Sequence, residues 1–285
     1  MRYETPGTAK EAVALLAKEK GLARVLAGGT DLLVQMKSGM VEPALIVDIK
    51  KIAELKKITR QGKGFRIGAA VSGADMRENK DLRKAWGCLI DGSKLIGSTQ
   101  IQGRCTVAGN LCNSSPAADS IPGLIAASAV INIAGPKKAR KVKAEDFQTS
   151  PGKNVLTRGE MVTSIDLPAR PARSGSAYFR FTPRTEMDIA VVSAAVNLTL
   201  NAKGVCTDAR VSLGAVAARV LLVKSAAKAL IGTMVDDAAL DALAAAASAA
   251  ATPIDDKRGT REFRTKVAGV LARRAAVKAL ERAKA

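Results

Sequence analysis

The chain has 285 residues, 47% hydrophobic and 25% charged, a composition that builds one large or two ordinary globular domains of about 100–200 residues each and argues against disorder. Histidine is absent, which removes Ser-His-Asp triads, Cys-His dyads, His-ligated zinc and imidazole proton shuttles from the available chemistry. Lysine and arginine outnumber aspartate and glutamate by 45 to 26, a net charge of +19, but aromatic residues make up only 3% of the chain, too few to interleave a basic nucleic-acid surface with stacking platforms.

Thr8-x-x-Glu11 is a capping box, so a helix is expected from about 9 to 20. Val13, Leu15, Leu16 and Ala17 form its apolar face, and Gly21 suits the left-handed position that ends it. A short apolar strand, Ala23 to Ala27, breaks at Gly28-Gly29-Thr30 and passes into a second amphipathic helix, Asp31 to Lys37, stopped by Ser38-Gly39. Ala44 to Ile49 is a continuous apolar strand, so the opening ~55 residues read as a small parallel α/β unit.

Lys57 to Arg60 and Phe65 to Ala69 flank a Gln-Gly-Lys-Gly turn and read as a hairpin. Helical stretches follow near 73–79 and 80–97, then a glycine-punctuated loop at 97–109, a small-residue helix at 119–129, and strands Val130 to Ala134 and Met161 to Leu167. The run Lys137 to Lys143 holds five positive charges in seven residues and reads as a solvated surface loop. Pro168 to Ser176 is rich in Pro, Ser and Gly, which places a domain boundary there. Beyond it, Ala177 to Phe181, Ile189 to Leu200 and Val205 to Val216 are strand-like, with Asn201 to Gly204 as the hairpin turn. Residues 218–231, 236–251 and 260–284 are Ala/Leu-rich and helical.

Cysteines 88, 105, 112 and 206 form no C-x-x-C pair and read as reduced, cytosolic thiols. The N-terminal residues lack a long apolar core, and the best apolar run, Ile121 to Ala134, is interrupted by Pro122, Gly123 and Asn132. Neither a signal peptide nor a membrane span is expected.

Two segments carry the chemistry. In Leu26-Ala-Gly-Gly-Thr-Asp-Leu32, glycines between a strand and a helix let backbone amides approach a phosphate, but the same residues also make a plain tight turn. Neither the Rossmann nor the Walker pattern is matched. Thr106-Val-Ala-Gly-Asn-Leu-Cys-Asn-Ser-Ser-Pro-Ala-Ala-Asp119 crowds small and polar residues before an apolar helix. Asp119 suits either the N-cap of that helix or a ribose hydroxyl.

These segments, with Gly97-Ser-Thr-Gln-Ile101, Glu160-Met-Val-Thr-Ser-Ile-Asp-Leu-Pro168 and Tyr178-Phe-Arg-Phe-Thr-Pro-Arg-Thr-Glu-Met-Asp-Ile-Ala190, resemble in order the FAD-binding subunits of the molybdenum hydroxylases, which include xanthine dehydrogenase and aerobic carbon monoxide dehydrogenase. The resemblance spans essentially the whole chain. It implies an α+β protein: a two-subdomain FAD-binding α/β domain over 1–170, with subdomains of about 1–56 and 57–170, then an antiparallel sheet with a helical bundle over 176–285. It also implies FAD between the two N-terminal subdomains, its pyrophosphate cradled by Leu26, Ala27, Gly28, Gly29, Thr30, Asp31 and Leu32 and by Thr106, Ala108, Gly109 and Asn110. By matched position Asn113 and Asp119 face the cofactor, Ile96 packs by the flavin, Val162 lies near the ring edge and Arg180 is a basic residue that can face the flavin.

The implied function is electron transfer: electrons from a molybdenum-cofactor large subunit pass through an iron-sulfur small subunit to FAD and on to an external acceptor, with no catalytic side chain and no metal in this chain. Where the family shows I-R-N-x-G-T-I-G-G-N, this chain has Gln102, Cys105 and Ala108. Ala108 is cheap at negative φ and strained at positive φ. Two rivals remain at this point: a stand-alone FAD-dependent oxidoreductase, and a basic nucleic-acid-binding protein, which accounts for the charge but for none of the five blocks.

Overall fold

The computed structural model describes residues 1–285. The first unit holds β1 (Arg2–Glu4), α1 (Ala9–Lys18), β2 (Ala23–Leu26), α2 (Leu32–Lys37) and β3 (Leu45–Asp48). Its sheet is parallel in the order β1-β3-β2. The central strand is buried along its whole length, as an apolar run covered on both faces must be. At the start of α1, Thr8 Oγ1 accepts from the Glu11 amide at 3.2 Å, while the Glu11 carboxylate reaches back to the Gly7 amide at 2.8 Å.

Two expectations for this unit fail. The first helix stops at Lys18 and Glu19 is already extended, so Gly21 is not its left-handed terminator; its amide instead donates to Glu19 Oε1 at 2.8 Å. No residue of α2 is buried, and Leu33 and Val34 are 55% and 64% exposed. The apolar letters of that helix do not face a core.

The second unit runs through β4 (Ile58–Gln61), β5 (Gly64–Gly68), α3 (Gly73–Glu78), α4 (Lys80–Ala85), α5 (Gly87–Ser93), α6 (Thr99–Gln102), α7 (Val107–Asn113), α8 (Ser120–Ala126), β6 (Val130–Ala134), β7 (Arg140–Lys143), α9 (Ala144–Phe147), β8 (Gln148–Ser150), β9 (Lys153–Asn154) and β10 (Met161–Leu167). Its main sheet is antiparallel in the order β4-β5-β10-β6-β7. The stretch expected to be one helix over 80–97 breaks at Trp86, whose indole N–H is drawn to the Pro168 carbonyl at 3.2 Å. The expected loop at 97–109 contains α6 and the start of α7. The run read as a solvated loop is in part the edge strand β7, pinned because Arg140 clasps the Glu160 carboxylate with two bonds of 2.7 Å.

The last unit comprises β11 (Ser174–Phe181), β12 (Val192–Leu200), β13 (Cys206–Gly214), β14 (Leu221–Leu222), α10 (Lys224–Leu230), α11 (Asp237–Ala250) and α12 (Arg261–Lys284). Its strands form an antiparallel sheet in that order, and α11 and α12 pack on one another with α12 laid along β11 and β12. Ala268, Ala272, Ala275, Ala276 and Ala279 are fully buried on the inner face of α12. A Cβ on Gly175 would fall 2.0 Å from the Ala279 carbonyl oxygen, so strand and helix backbones meet directly. Arg282, which donates to the Ser176 carbonyl of its own unit at 2.6 Å, ties that unit to the second by donating to Asp91 at 2.5 Å. No helix is long and apolar enough to cross a membrane.

Candidate functional site

A cavity of about 730 Å³ lies between the first and second units, within the ~300–1,000 Å³ range of small-molecule sites. Two loops supply its polar wall. The first follows β2: Gly28 packs its bare Cα side against the backbone of Arg104 and Cys105, and Gly29 takes φ +75°. The backbone N–H groups of Gly28, Gly29, Thr30 and Asp31 find no carbonyl within the protein. The second loop opens α7. Thr106 Oγ1 accepts from the Gly109 amide at 2.9 Å, which leaves the Val107 and Ala108 amides without a carbonyl partner. Unpaired amides in two facing loops suit an anion carrying two phosphate groups.

Ala27 through Leu32, Ile96, Thr106, Ala108, Gly109, Asn110, Asn113 and Val162 all line this cavity. Ala108 is helical and buried, and neither it nor Cys105 has a positive φ, so the methyl that replaces a family glycine stores no backbone strain. Asn110 has its side-chain oxygen committed to Ser120, at 2.6 Å from the hydroxyl. Asn113 Oδ1 accepts from Gln35 Nε2 at 3.1 Å, a bond that joins α2 of the first unit to α7 of the second.

Leu26, Asp119 and Arg180 do not line the cavity. Leu26 is buried behind the first loop. Asp119 makes no N-cap bond to α8; its carboxylate accepts from Tyr178 Oη and from Arg180 Nη1, both at 2.6 Å. Burial pushes this carboxyl up to about 6, against the opposing pull of Arg180 and Tyr178. The Arg180 side chain is only 5% exposed and is held in this pair.

Several cavity residues carry no sequence signal. Gln35, Asn154 and Arg158 line it, and Asn154 Nδ2 donates to the Cys112 carbonyl at 2.9 Å, fastening β9 to α7. Glu160, the first residue of the block that runs to Pro168, lines it too. The loop carrying Ile96 is fixed from behind by Gln102, which is almost wholly buried. Its Nε2 donates to the carbonyls of Ser93 (3.3 Å), Lys94 and Ile96 (3.4 Å), while its Oε1 has no partner.

Residues 1–170 match the family model described as the FAD binding domain in molybdopterin dehydrogenase, and residues 177–279 match the CO dehydrogenase flavoprotein C-terminal domain. The chain belongs to the molybdopterin dehydrogenase flavoproteins. It is 36% identical over 282 residues to the carbon monoxide dehydrogenase medium chain of Afipia carboxidovorans, covering 99% of this chain and 97% of that one. With the putative xanthine dehydrogenase FAD-binding subunit of Escherichia coli K12 it shares 30% identity over 264 residues, 92% and 90% of the two chains. Among solved structures, CO dehydrogenase from Oligotropha carboxidovorans superposes with a TM-score of 0.94 at 35% identity, covering 99% and 98%. Quinoline 2-oxidoreductase from Pseudomonas putida 86 gives 0.92 at 26%, covering 100% and 98%.

This molybdopterin dehydrogenase flavoprotein is thus an oxidoreductase subunit whose cofactor is FAD. The residues present fit that cofactor. Two sets of free amides match its two phosphates, and Ile96 and Val162 offer apolar surface for a ring.

Proposed function

We propose that this chain is the flavin-bearing electron-transfer subunit of a molybdenum hydroxylase, assembled with a molybdenum-cofactor large chain and an iron-sulfur small chain. In this reading electrons released by substrate oxidation elsewhere in the complex reach this subunit through the iron-sulfur chain and leave to an external acceptor. Bound FAD supplies the redox chemistry.

The observation that carries the reading is the pair of amide-bearing loops facing one cavity between two units. The loops at Gly28 to Asp31 and Thr106 to Gly109 bind and orient the phosphates, and Thr106 holds the second loop by its cap. Gln35 and Asn113 bridge the two units across the site. Ile96 and Val162 exclude water from the ring. Asp119 and Arg180, already paired with one another, lie outside the cavity lining. The four cysteines are unbridged, which fits a reducing cytoplasm. We take residues 1–170 as the FAD-binding domain and 176–285 as the second domain.

The test is a titration of the purified apoprotein with FAD and with FMN, alongside metal analysis of the tagged chain isolated from its source cells. FAD binding far tighter than FMN, with molybdenum and iron recovered on the chain, is expected. Tight FMN binding without FAD affinity defeats the cofactor assignment, and a fully active flavoenzyme free of molybdenum and iron defeats the subunit assignment.

A further inference from the structure

The chain has only five phenylalanines, and three of them stand at the surface together. Phe65 and Phe147 are core residues, while Phe179, Phe181 and Phe263 are 37%, 38% and 38% exposed. The rings of Phe181 and Phe263 meet edge to face with centroids 5.4 Å apart. Along α12, Phe263, Val270 and Val277 follow one another at intervals of seven residues, nearly two helical turns, and the two valines are 39% and 38% exposed. They make a single apolar stripe on the outer face of the longest helix.

Beside that stripe lies an open groove of about 620 Å³. Phe179, Val270 and Val277 form its apolar wall, with Ala244 and Ala245 of α11 opposite. The groove's base is narrow because α11 and α12 pack closely at Gly269, where a Cβ would stand 2.6 Å from Ser248 Oγ. Arg273 is neutralised by Asp237 at 2.6 Å and by Asp241, and Lys278 by Glu281 at 2.6 Å. Lys266 and Arg274, which flank Val270 by one turn on either side, have no acidic partner.

We infer that this groove is a docking surface for an acidic amphipathic helix of another chain in the assembly. The inference rests on the proposed subunit role. A stripe repeating every seven residues accepts the ridge of a second helix, and exposed aromatic and aliphatic residues rimmed by unpaired charge are the anatomy of a protein interface. Lys266 and Arg274 select an acidic partner. A second copy of this chain would bring the same two cations against them. A nucleic acid would have to lay phosphates over alanine and valine beside Asp237, Asp241 and Glu281.

The test compares the tagged parent chain with V270E and with the double variant K266E/R274E, each isolated from source cells, by molybdenum and iron per flavin. Both variants should lose at least tenfold of the co-purifying metal while the isolated chains keep the parent's FAD content and melting temperature. The double variant alters only surface charge, so it decides the matter if V270E fails to fold. Equal metal on parent and variants overturns the docking surface and leaves the subunit role standing. A parent without either metal overturns both. A dimer of the isolated parent, by light scattering, that V270E converts to a monomer assigns the face to self-association instead. Variant-sensitive binding of a 30-nucleotide single-stranded DNA assigns it to nucleic acid. Either result overturns the inference.

Discussion

A Cβ placed on Gly28 would stand 2.1 Å from the carbonyl oxygen of Arg104. The two loops that wall the cavity therefore touch through bare backbone, and the glycine is required by its protein neighbour before any ligand arrives. Its partner Gly29 is required for a different reason, its φ of +75°.

Gly28→Ala should accordingly cost about 1–3 kcal/mol of stability, because backbone must move to admit the methyl. It should also weaken FAD binding by at least ~10-fold, equivalent to about 1.4 kcal/mol. Gly29→Ala should cost about 1–2 kcal/mol from the left-handed backbone alone. Urea denaturation of the apoprotein and FAD titration measure the two effects separately. A Gly28→Ala protein as stable as the parent would show that the loops do not meet as described.

Gln102 holds three carbonyls with one amide nitrogen. Gln102→Leu removes that donor: the Ser93 carbonyl keeps the Ile96 amide at 3.3 Å, while the Lys94 and Ile96 carbonyls lose their only protein donor, a loss of roughly 1–3 kcal/mol for each that stays unsatisfied. The expected result is lower stability together with weaker FAD binding, since the same carbonyls belong to the turn that presents Ile96. Gln102→Arg restores donors toward the same carbonyls at a helix C-terminal end but must bury a larger, charged side chain where Gln102 is 1% exposed, so it should recover FAD affinity more than stability. Flavin absorbance and fluorescence of the two variants are the readout, and an unaltered flavin spectrum and affinity in Gln102→Leu would remove the positioning role.

Glu160 is held by Arg140 and by the Thr157 amide, and its carboxyl is lowered from 4.5 to about 2, first by the Arg140 bonds. A carboxyl depressed in the folded state stabilises fully above its unfolded value, and that stabilisation fades as pH falls through the folded value. Glu160→Gln should therefore be less stable than the parent at pH 7, with the gap closing between about pH 4.5 and pH 2. Thermal melting over that range checks it. A gap independent of pH would mean that Glu160 acts by shape alone.

The elements that could be read from sequence are those whose local pattern agrees with their burial. Val130 to Ala134 and Met161 to Leu167 are short apolar-rich stretches ended by Gly135-Pro136 and by Pro168, and become β6 and β10 with those limits. Local pattern misleads at α2, where Leu-Leu-Val announces a core face that no neighbouring element covers. It misleads again at β7, where alternating charge hides a strand that exists because β6 offers a free edge and Glu160 a counter-charge. The same distinction applies to the cavity. Its glycine-rich and small-residue loops announce themselves because backbone exposure needs those residue types. Gln35, Asn154 and Arg158 reach the cavity only through tertiary packing, so nothing near them in sequence marks them.

The alanine face of α12, laid on Gly175 with no side chain between the backbones, has a practical consequence for mapping this subunit. Truncation scanning has almost nothing to remove at Ala268, Ala272, Ala275, Ala276 and Ala279, and would score the tightest contact in the C-terminal unit as unimportant. Enlargement reveals it instead. A valine introduced at each position in turn has no void to enter, so sensitivity should rise toward Ala279 and trace the line along which helix and strand lie closest.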